Sequence, residues 1–386
     1  MPKPGNGLHV KKKKTMHTTR LHALDNLRTF VVFLVIVLHG SMTYMAYAPK
    51  WWYVVDTDSS LFFTILVMLI DVPIMLIMFF LAGYFAVPSL AKRGARRFLE
   101  DKLLRIGLPW VFGVLVLAPP TAYMIYFSRN VPMSLMAFWQ TDFWGKAFQQ
   151  SVYWYLGILL SLFALTALIS AKSHRFSSWR QETCRPDWRV FVYFILGVSA
   201  GSLLIGLAFK QSLDAWFHIY LLSFQPARLP LYIGYFALGI FAYQRGWFAE
   251  QGYVPGWGRW LALSLASGTA YLKYRFSIPP GQQTLASTTI VFLLFNVFCF
   301  SSLMGSVAFF QAHVASRSSF WRSQARNSYG IYYLHPLILY PLALLFVSLP
   351  ASIYLKAALL IPLAYSASWG ISTAILTRVP GLRRVF

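Results

Sequence analysis

The sequence predicts an all-α, polytopic membrane protein of about ten transmembrane helices with both termini cytoplasmic. Three observations carry that expectation. Of the 386 residues, 58% are hydrophobic and only 12% charged, against about a quarter charged in a soluble domain. Apolar stretches long enough to cross a bilayer core recur along the chain, each needing about 20 residues. Lysine and arginine gather in every second connecting segment, the alternation expected of loops that stay on the cytoplasmic side.

The apolar stretches run approximately over 28–47, 63–88, 107–127, 152–171, 190–209, 229–244, 258–273, 286–309, 329–349 and 354–376. The sixth and seventh are short and interrupted by glycine, so their ends are the least defined. Ten spans occupy roughly half of the chain and leave no room for a separate soluble enzyme domain. Any chemistry must come from the helices and their short loops. The expected organisation is a basic cytoplasmic tail over 1–22, a ten-helix membrane domain over 23–378 and a short basic cytoplasmic tail over 379–386.

Orientation follows from the loops. The N-terminal tail carries Lys3, Lys11 to Lys14 and Arg20. The loop over 89–106 carries Lys92, Arg93, Arg96, Arg97, Lys102 and Arg105, and 172–189 carries Lys172, Arg175, Arg180, Arg185 and Arg189. Arg317, Arg322 and Arg326 follow in 310–328, and Arg378, Arg383 and Arg384 in the tail. The loops between them hold only Lys50, then Arg129 and Lys146, then Lys210 and Arg228. The net charge of +23 therefore serves topology and not nucleic-acid binding, because it is not collected on one domain or helix. Cys184 and Cys299 are the only cysteines, one in a basic loop and one in an apolar span; they predict neither a disulfide nor a metal site. No short apolar leader ends at a small-residue cleavage site, so the first helix itself serves as the insertion signal.

Ionisable side chains inside spans are the informative ones, since an Asp at a helix centre costs about 2.5–3.5 kcal/mol. Arg28 and His39 are eleven residues apart in the first span. Eleven helical steps return to within roughly 20° of the same face and separate the two by about 16 Å. An imidazole near mid-membrane on the stripe of a fixed cation suits a general base; a boundary arginine and a helix-packing histidine give the same pattern. Asp71, at a similar depth in the second span, is a candidate to orient that imidazole as in hydrolytic triads, or a polar contact beside Pro73. In the ninth span Tyr329, Tyr332 and His335 share a broad face, and Pro336 frees the carbonyl of Tyr332. The basic stretch 92–105 serves topology and equally suits an anionic phosphate ligand.

These residues fall in motifs that together resemble the acyltransferase family 3 membrane proteins. The stretch from Leu24 through Asp25, Asn26 and Leu27 to Arg28, followed by His39, is similar to the family's opening signature. Phe79 to Phe85 (FFLAGYF), Lys102 to Pro109 (KLLRIGLP), Tyr153 to Leu156 (YWYL) and Asn327 to Pro336 (NSYGIYYLHP) resemble four further motifs in the same order. The wording LDNLR and AGYF looks closest to the branch of glucans biosynthesis protein C, a periplasmic glucan succinyltransferase. That branch often has an arginine shortly before its FF-GYF segment, where this chain has Met75, Leu76, Ile77 and Met78.

The resemblance implies an O-acyltransferase of a bacterial inner membrane. It would move an acetyl or succinyl group from cytoplasmic acyl-CoA to a hydroxyl of an extracytoplasmic glycan or glycolipid, without a metal. His39 would act as base or as acyl carrier, and Arg28 would hold the donor's phosphates or polarise the thioester carbonyl; Asp71 joins them as a catalytic candidate only through the triad analogy above. Arg96, Arg97, Lys102, Arg105, Tyr329, Tyr332 and His335 would hold the donor; Trp154 and Tyr155 would stack on the acceptor at the outer mouth, a place where such residues equally serve as interface anchors. The rival reading is a multi-pass transporter of a small anionic or sugar substrate, which predicts two related halves with interrupted helices; no such internal symmetry is visible.

Overall fold

In the computed structural model, residues 22–172, 184–210, 212–249, 252–279, 281–316 and 318–386 are described. The basic tail with Lys3, Lys11 to Lys14 and Arg20, together with Arg175, Arg180 and Arg317 of the basic loops, lies outside them. The described chain is helical almost throughout. The helices are α1 (His22–Met42), α2 (Leu61–Arg93), α3 (Ala95–Ser128), α4 (Leu135–Thr141), α5 (Trp154–Lys172) and α6 (Trp188–Ala208). After a two-stranded hairpin, β1 (Phe217–Ile219) and β2 (Leu222–Phe224), come α7 (Leu229–Gln244), α8 (Trp257–Ser277), α9 (Leu285–His313), α10 (Ser319–Val347) and α11 (Ile353–Ile371).

Eight of these, α1, α2, α3, α5, α6, α9, α10 and α11, are long and apolar enough to cross a membrane. The other two expected spans are also helices. One is α7, with 16 residues; the other is α8, whose apolar run is diluted by Arg259, Lys273 and Arg275. The protein is thus an all-α polytopic membrane protein. On α6 only Ser199, Ser202 and Gly206 are buried, while Tyr193, Leu196 and Leu204 are exposed, the apolar outer face that a helix bordering lipid presents.

One expected loop is a correction. The basic stretch 89–106 is helical: α2 runs on to Arg93, the chain turns at Gly94 with φ of 74°, and α3 begins at Ala95. A positive φ suits glycine, which has no Cβ to clash. The cations that lowered the local hydropathy are held on helix surfaces by Arg93–Asp101, Arg96–Glu100 and Arg105–Asp101 pairs. α3 also contains two π-helical segments, Leu103–Gly107 and Gly113–Leu117, a local widening common at functional sites.

The FFLAGYF motif has a packing reason. A Cβ on Gly83 would lie 2.0 Å from the Phe236 carbonyl oxygen, and one on Gly239 2.1 Å from that of Phe80. Neither backbone can give way, so α2 and α7 run together only because both positions are glycine, as small residues permit in membrane helix pairs. Phe79 stacks on Tyr232 at 4.8 Å and the Tyr84 hydroxyl donates to the Trp247 carbonyl. Asn26 of the LDNLR motif donates to the Val314 and Ser316 carbonyls, fixing the start of α1 to the end of α9.

Candidate active site

α1 and α10 pack side by side and bring His39 onto His335. The two imidazoles stack with centroids 5.2 Å apart, and His39 Nδ1 lies 2.9 Å from His335 Nε2. The other ring nitrogen of His335, Nδ1, lies 2.6 Å from the Tyr332 carbonyl oxygen. That carbonyl can only accept, so His335 Nδ1 carries the proton and His335 Nε2 carries a lone pair. His39 must then donate through Nδ1–H, which leaves its own Nε2 unprotonated. The carbonyl is free to accept because Pro336, four residues on, has no N–H. Backbone chemistry in α10 thereby sets the tautomer of an imidazole on α1. His335 is fully buried, whereas His39 is half-buried.

Two cavities are formed by the elements around this pair. The first, of about 350 Å³, is bordered by Arg28, Lys102, Arg105 and Arg326 and by Tyr155, Tyr329 and Tyr332. Four cations around one hollow are chemistry that suits an anion, although Arg28 also pairs with Asp25 and Arg105 with Asp101. Lys102 also lies 4.6 Å from the Phe163 ring centroid, a cation–π contact. The second, of about 360 Å³, is aromatic: Trp51, Tyr53, Tyr126, Phe148, Trp154 and Trp216 line it together with Gln149, Gln150, Ser151, Lys146, His218 and Ser223. Ile106 borders the first and Ile125 the second, about 28 Å apart along α3, whereas on α5 the linings meet at the consecutive residues Trp154 and Tyr155.

Neither His39 nor His335 lines either cavity, but contacts connect the pair to both linings. Tyr332, which lines the basic cavity, donates its hydroxyl to the Val152 carbonyl, next to Ser151 of the aromatic one. His39 packs at 5.5 Å against Trp52, whose neighbours Trp51 and Tyr53 line the aromatic cavity. The YWYL and NSYGIYYLHP motifs frame these contacts: the Tyr153 hydroxyl donates to the Tyr333 carbonyl, and the Tyr333 hydroxyl to that of Pro109.

Around the aromatic cavity some polar groups pair with one another, while Gln150 Oε1 and Ser151 Oγ are buried without a partner among the described residues. The Tyr126 hydroxyl donates to Asp142 at 2.8 Å and Lys146 pairs with the same carboxylate at 3.1 Å. The Tyr126 bond, then Lys146, holds that carboxyl below the usual carboxylate range. His218 Nδ1 lies 2.7 Å from the Ser223 hydroxyl, and burial pushes its imidazole below the usual histidine value.

The structure brings together some expected residues and not others. Arg28, Lys102, Arg105, Tyr329 and Tyr332 share the basic cavity. Arg96 is exposed on Glu100, and Arg97, also exposed, is absent from that lining. Trp154 borders the aromatic cavity, but Tyr155 faces the basic one, because successive helical residues point about 100° apart. Asp71 does not meet His39. Its carboxylate accepts from Arg228 at 3.0 Å, and Arg228 also pairs with Asp214 at 2.6 Å. His335 takes the orienting position instead.

Several site residues escaped the sequence reading. Arg326 was counted only as a loop cation, although it precedes Tyr329 by three residues and extends the Tyr329–Tyr332 stripe by one helical turn. The Trp51-Trp52-Tyr53 run after the first span carries no motif or charge that singles it out in the sequence. Lys356 is a buried cation in the last span; it donates to Asp56 at 2.9 Å and so ties the loop that carries Trp52 to α11.

A family model described as an acyltransferase domain, that of acyltransferase 3, matches residues 21–377. No curated protein and no solved structure matches the chain.

Proposed function

Because the chain belongs to the acyltransferase 3 family and is a membrane acyltransferase, we propose that it transfers an acetyl or succinyl group from acyl-CoA to a hydroxyl of a glycan or glycolipid. In this reading the CoA phosphates lie among Arg28, Lys102, Arg105 and Arg326, and the thioester reaches from the basic cavity to His39. The acceptor occupies the aromatic cavity, its sugar face against Trp154. The basic cavity opens to the cytoplasm, where the positive loops belong, and the aromatic cavity to the opposite side of a bacterial inner membrane.

The observation that supports this reading is the chain of contacts from His39 Nδ1 to His335 Nε2 and from His335 Nδ1 to the Tyr332 carbonyl, which in the neutral pair leaves His39 Nε2 as a base. His39 Nε2 takes the proton of the acceptor hydroxyl as its oxygen attacks the thioester carbonyl carbon. The tetrahedral intermediate then breaks its C–S bond, and His39 returns the proton to the departing thiolate sulfur. His335 accepts from the Nδ1–H of the imidazolium while it exists, the orienting part that a carboxylate plays in other triads. Arg28, about 16 Å along α1 from His39, is too far to touch the reacting carbonyl and serves the phosphates.

The test is thioester consumption by the purified protein in nanodiscs with a glycan acceptor. His39→Ala abolishes transfer while the protein stays monodisperse with an unchanged melting temperature. A folded His39→Ala protein that transfers at the wild-type rate rules out the base assignment.

A further inference from the structure

Acyl transfer places a negative charge on the former carbonyl oxygen, and Arg28 is too distant to meet it. Trp52 is adjacent to the imidazole. It is 2% exposed, and its indole Nε1–H is buried with no hydrogen-bond partner among the described residues. A buried indole N–H ordinarily has an acceptor; Trp110, Trp247 and Trp369 also lack one, and Trp52 is the one of the four that packs on His39.

The ring is held from several sides. It lies 5.5 Å from His39 and 5.5 Å, edge-on, from Tyr340. The Trp52 N–H donates to the Pro49 carbonyl, and the Trp52 carbonyl accepts from Arg129 at 3.2 Å. Four residues on, Asp56 is anchored by Lys356 and by its own backbone bond to the Thr43 carbonyl. A donor fixed before the charge develops needs no reorganisation during the reaction, which is the condition under which such donors act most strongly.

Resting on the acyl-transfer reading above, we propose that the Trp52 indole N–H is the oxyanion donor of this site. As the acceptor oxygen bonds to the thioester carbon, the carbonyl π pair moves onto oxygen and Trp52 Nε1–H donates to it. When the C–S bond breaks, that pair re-forms the carbonyl, the thiolate takes the proton from His39, and Trp52 is unchanged. It touches the reacting oxygen and is in that sense a catalytic residue.

Two replacements test this in nanodiscs with acyl-CoA and a glycan acceptor. Trp52→Phe removes the N–H and part of the ring. Incorporation of 3-benzothienylalanine at position 52 removes the N–H and keeps the ring's shape, so it decides the matter if Trp52→Phe folds poorly. Both are expected to lower kcat about 10²-fold, the usual loss for one oxyanion donor, with KM for each substrate within about threefold. A benzothienyl protein with kcat within about threefold of wild type, or with a loss confined to KM, overturns the Trp52 role and leaves His39 standing. A wild-type protein that consumes no thioester overturns the acyl-transfer reading and this role with it.

Discussion

Replacing His335 by leucine removes the acceptor of the His39 Nδ1–H and leaves the fold of α10 with a side chain of similar bulk. In the ground state the lost bond joins two neutral rings. In the transition state His39 is an imidazolium, and the same bond is charge-assisted, worth about 1.5–3 kcal/mol. At about 1.4 kcal/mol per tenfold in rate, kcat should fall about 10- to 150-fold. KM should stay near its original value, because neither cavity is bordered by His335. His335→Gln, whose amide oxygen can accept from His39, should regain part of that loss. The assay is steady-state release of free CoA with a thiol reagent, at saturating acceptor, on proteins of matched melting temperature. A His335→Leu protein within threefold of wild type would refute the tautomer argument. So would one as inactive as His39→Ala, since His335 would then be the reacting group itself.

Other expectations follow from the same geometry. Arg28→Gln, Lys102→Gln, Arg105→Gln or Arg326→Gln should each raise KM for acyl-CoA about tenfold, one charge-assisted contact, and leave KM for a phosphate-free N-acetylcysteamine thioester unchanged. Arg96→Gln, exposed and outside the cavity, should change KM by less than about twofold; an equal effect on both thioesters would remove the phosphates from the basic cavity. Separate donor and acceptor cavities predict a ternary complex and intersecting double-reciprocal plots, whereas parallel lines would indicate an acyl-histidine intermediate. Lys356→Met strands the Asp56 carboxylate, whose side chain is 0% exposed, and should cost about 3–5 kcal/mol; Lys356→Met/Asp56→Asn should recover most of that in thermal unfolding. The Asp142 carboxyl is depressed by Tyr126 and then Lys146, so its contribution is fully present above about pH 3.9 and is lost as pH falls through the lower folded value. The melting-temperature gap between wild type and Asp142→Asn should be constant above pH 5 and close below pH 4.

The helical plan was legible because it depends on local composition. The sixth stretch, read as 229–244, is α7 from Leu229 to Gln244, although it is short and glycine-rich. Hydropathy misled where composition and conformation part: cations at 92–105 lower the average, yet that chain is helix up to Gly94 and again from Ala95. The Arg28–His39 stripe could be drawn because both residues lie on one helix, where 100° per residue fixes their relation. No such rule links α1 to α10. Asp71 was the natural partner by analogy with triads, and His335 was set aside for the donor, because periodicity states which face a residue occupies and not which helix it meets. Arg228 illustrates the same limit. As one of two basic residues in a cation-poor loop it carried only topological meaning, yet it is buried against Phe295 and holds Asp71.

An acyltransferase that works across a bilayer must bring a charged donor and a polar acceptor to one point while keeping the two aqueous sides apart. In the reading proposed above, the separating wall consists of tyrosine hydroxyls donating to carbonyls: Tyr332 to Val152, Tyr153 to Tyr333 and Tyr333 to Pro109. Pro336 releases only the Tyr332 carbonyl, which meets His335 Nδ1. Tyr332 therefore takes part in both, its hydroxyl in the wall and its carbonyl in holding His335. A substitution such as Tyr153→Phe, which removes a wall bond 3.1 Å long without touching either histidine, should raise uncoupled thioester hydrolysis relative to transfer. If hydrolysis and transfer fell together in proportion, the wall would have no part in keeping water from the thioester.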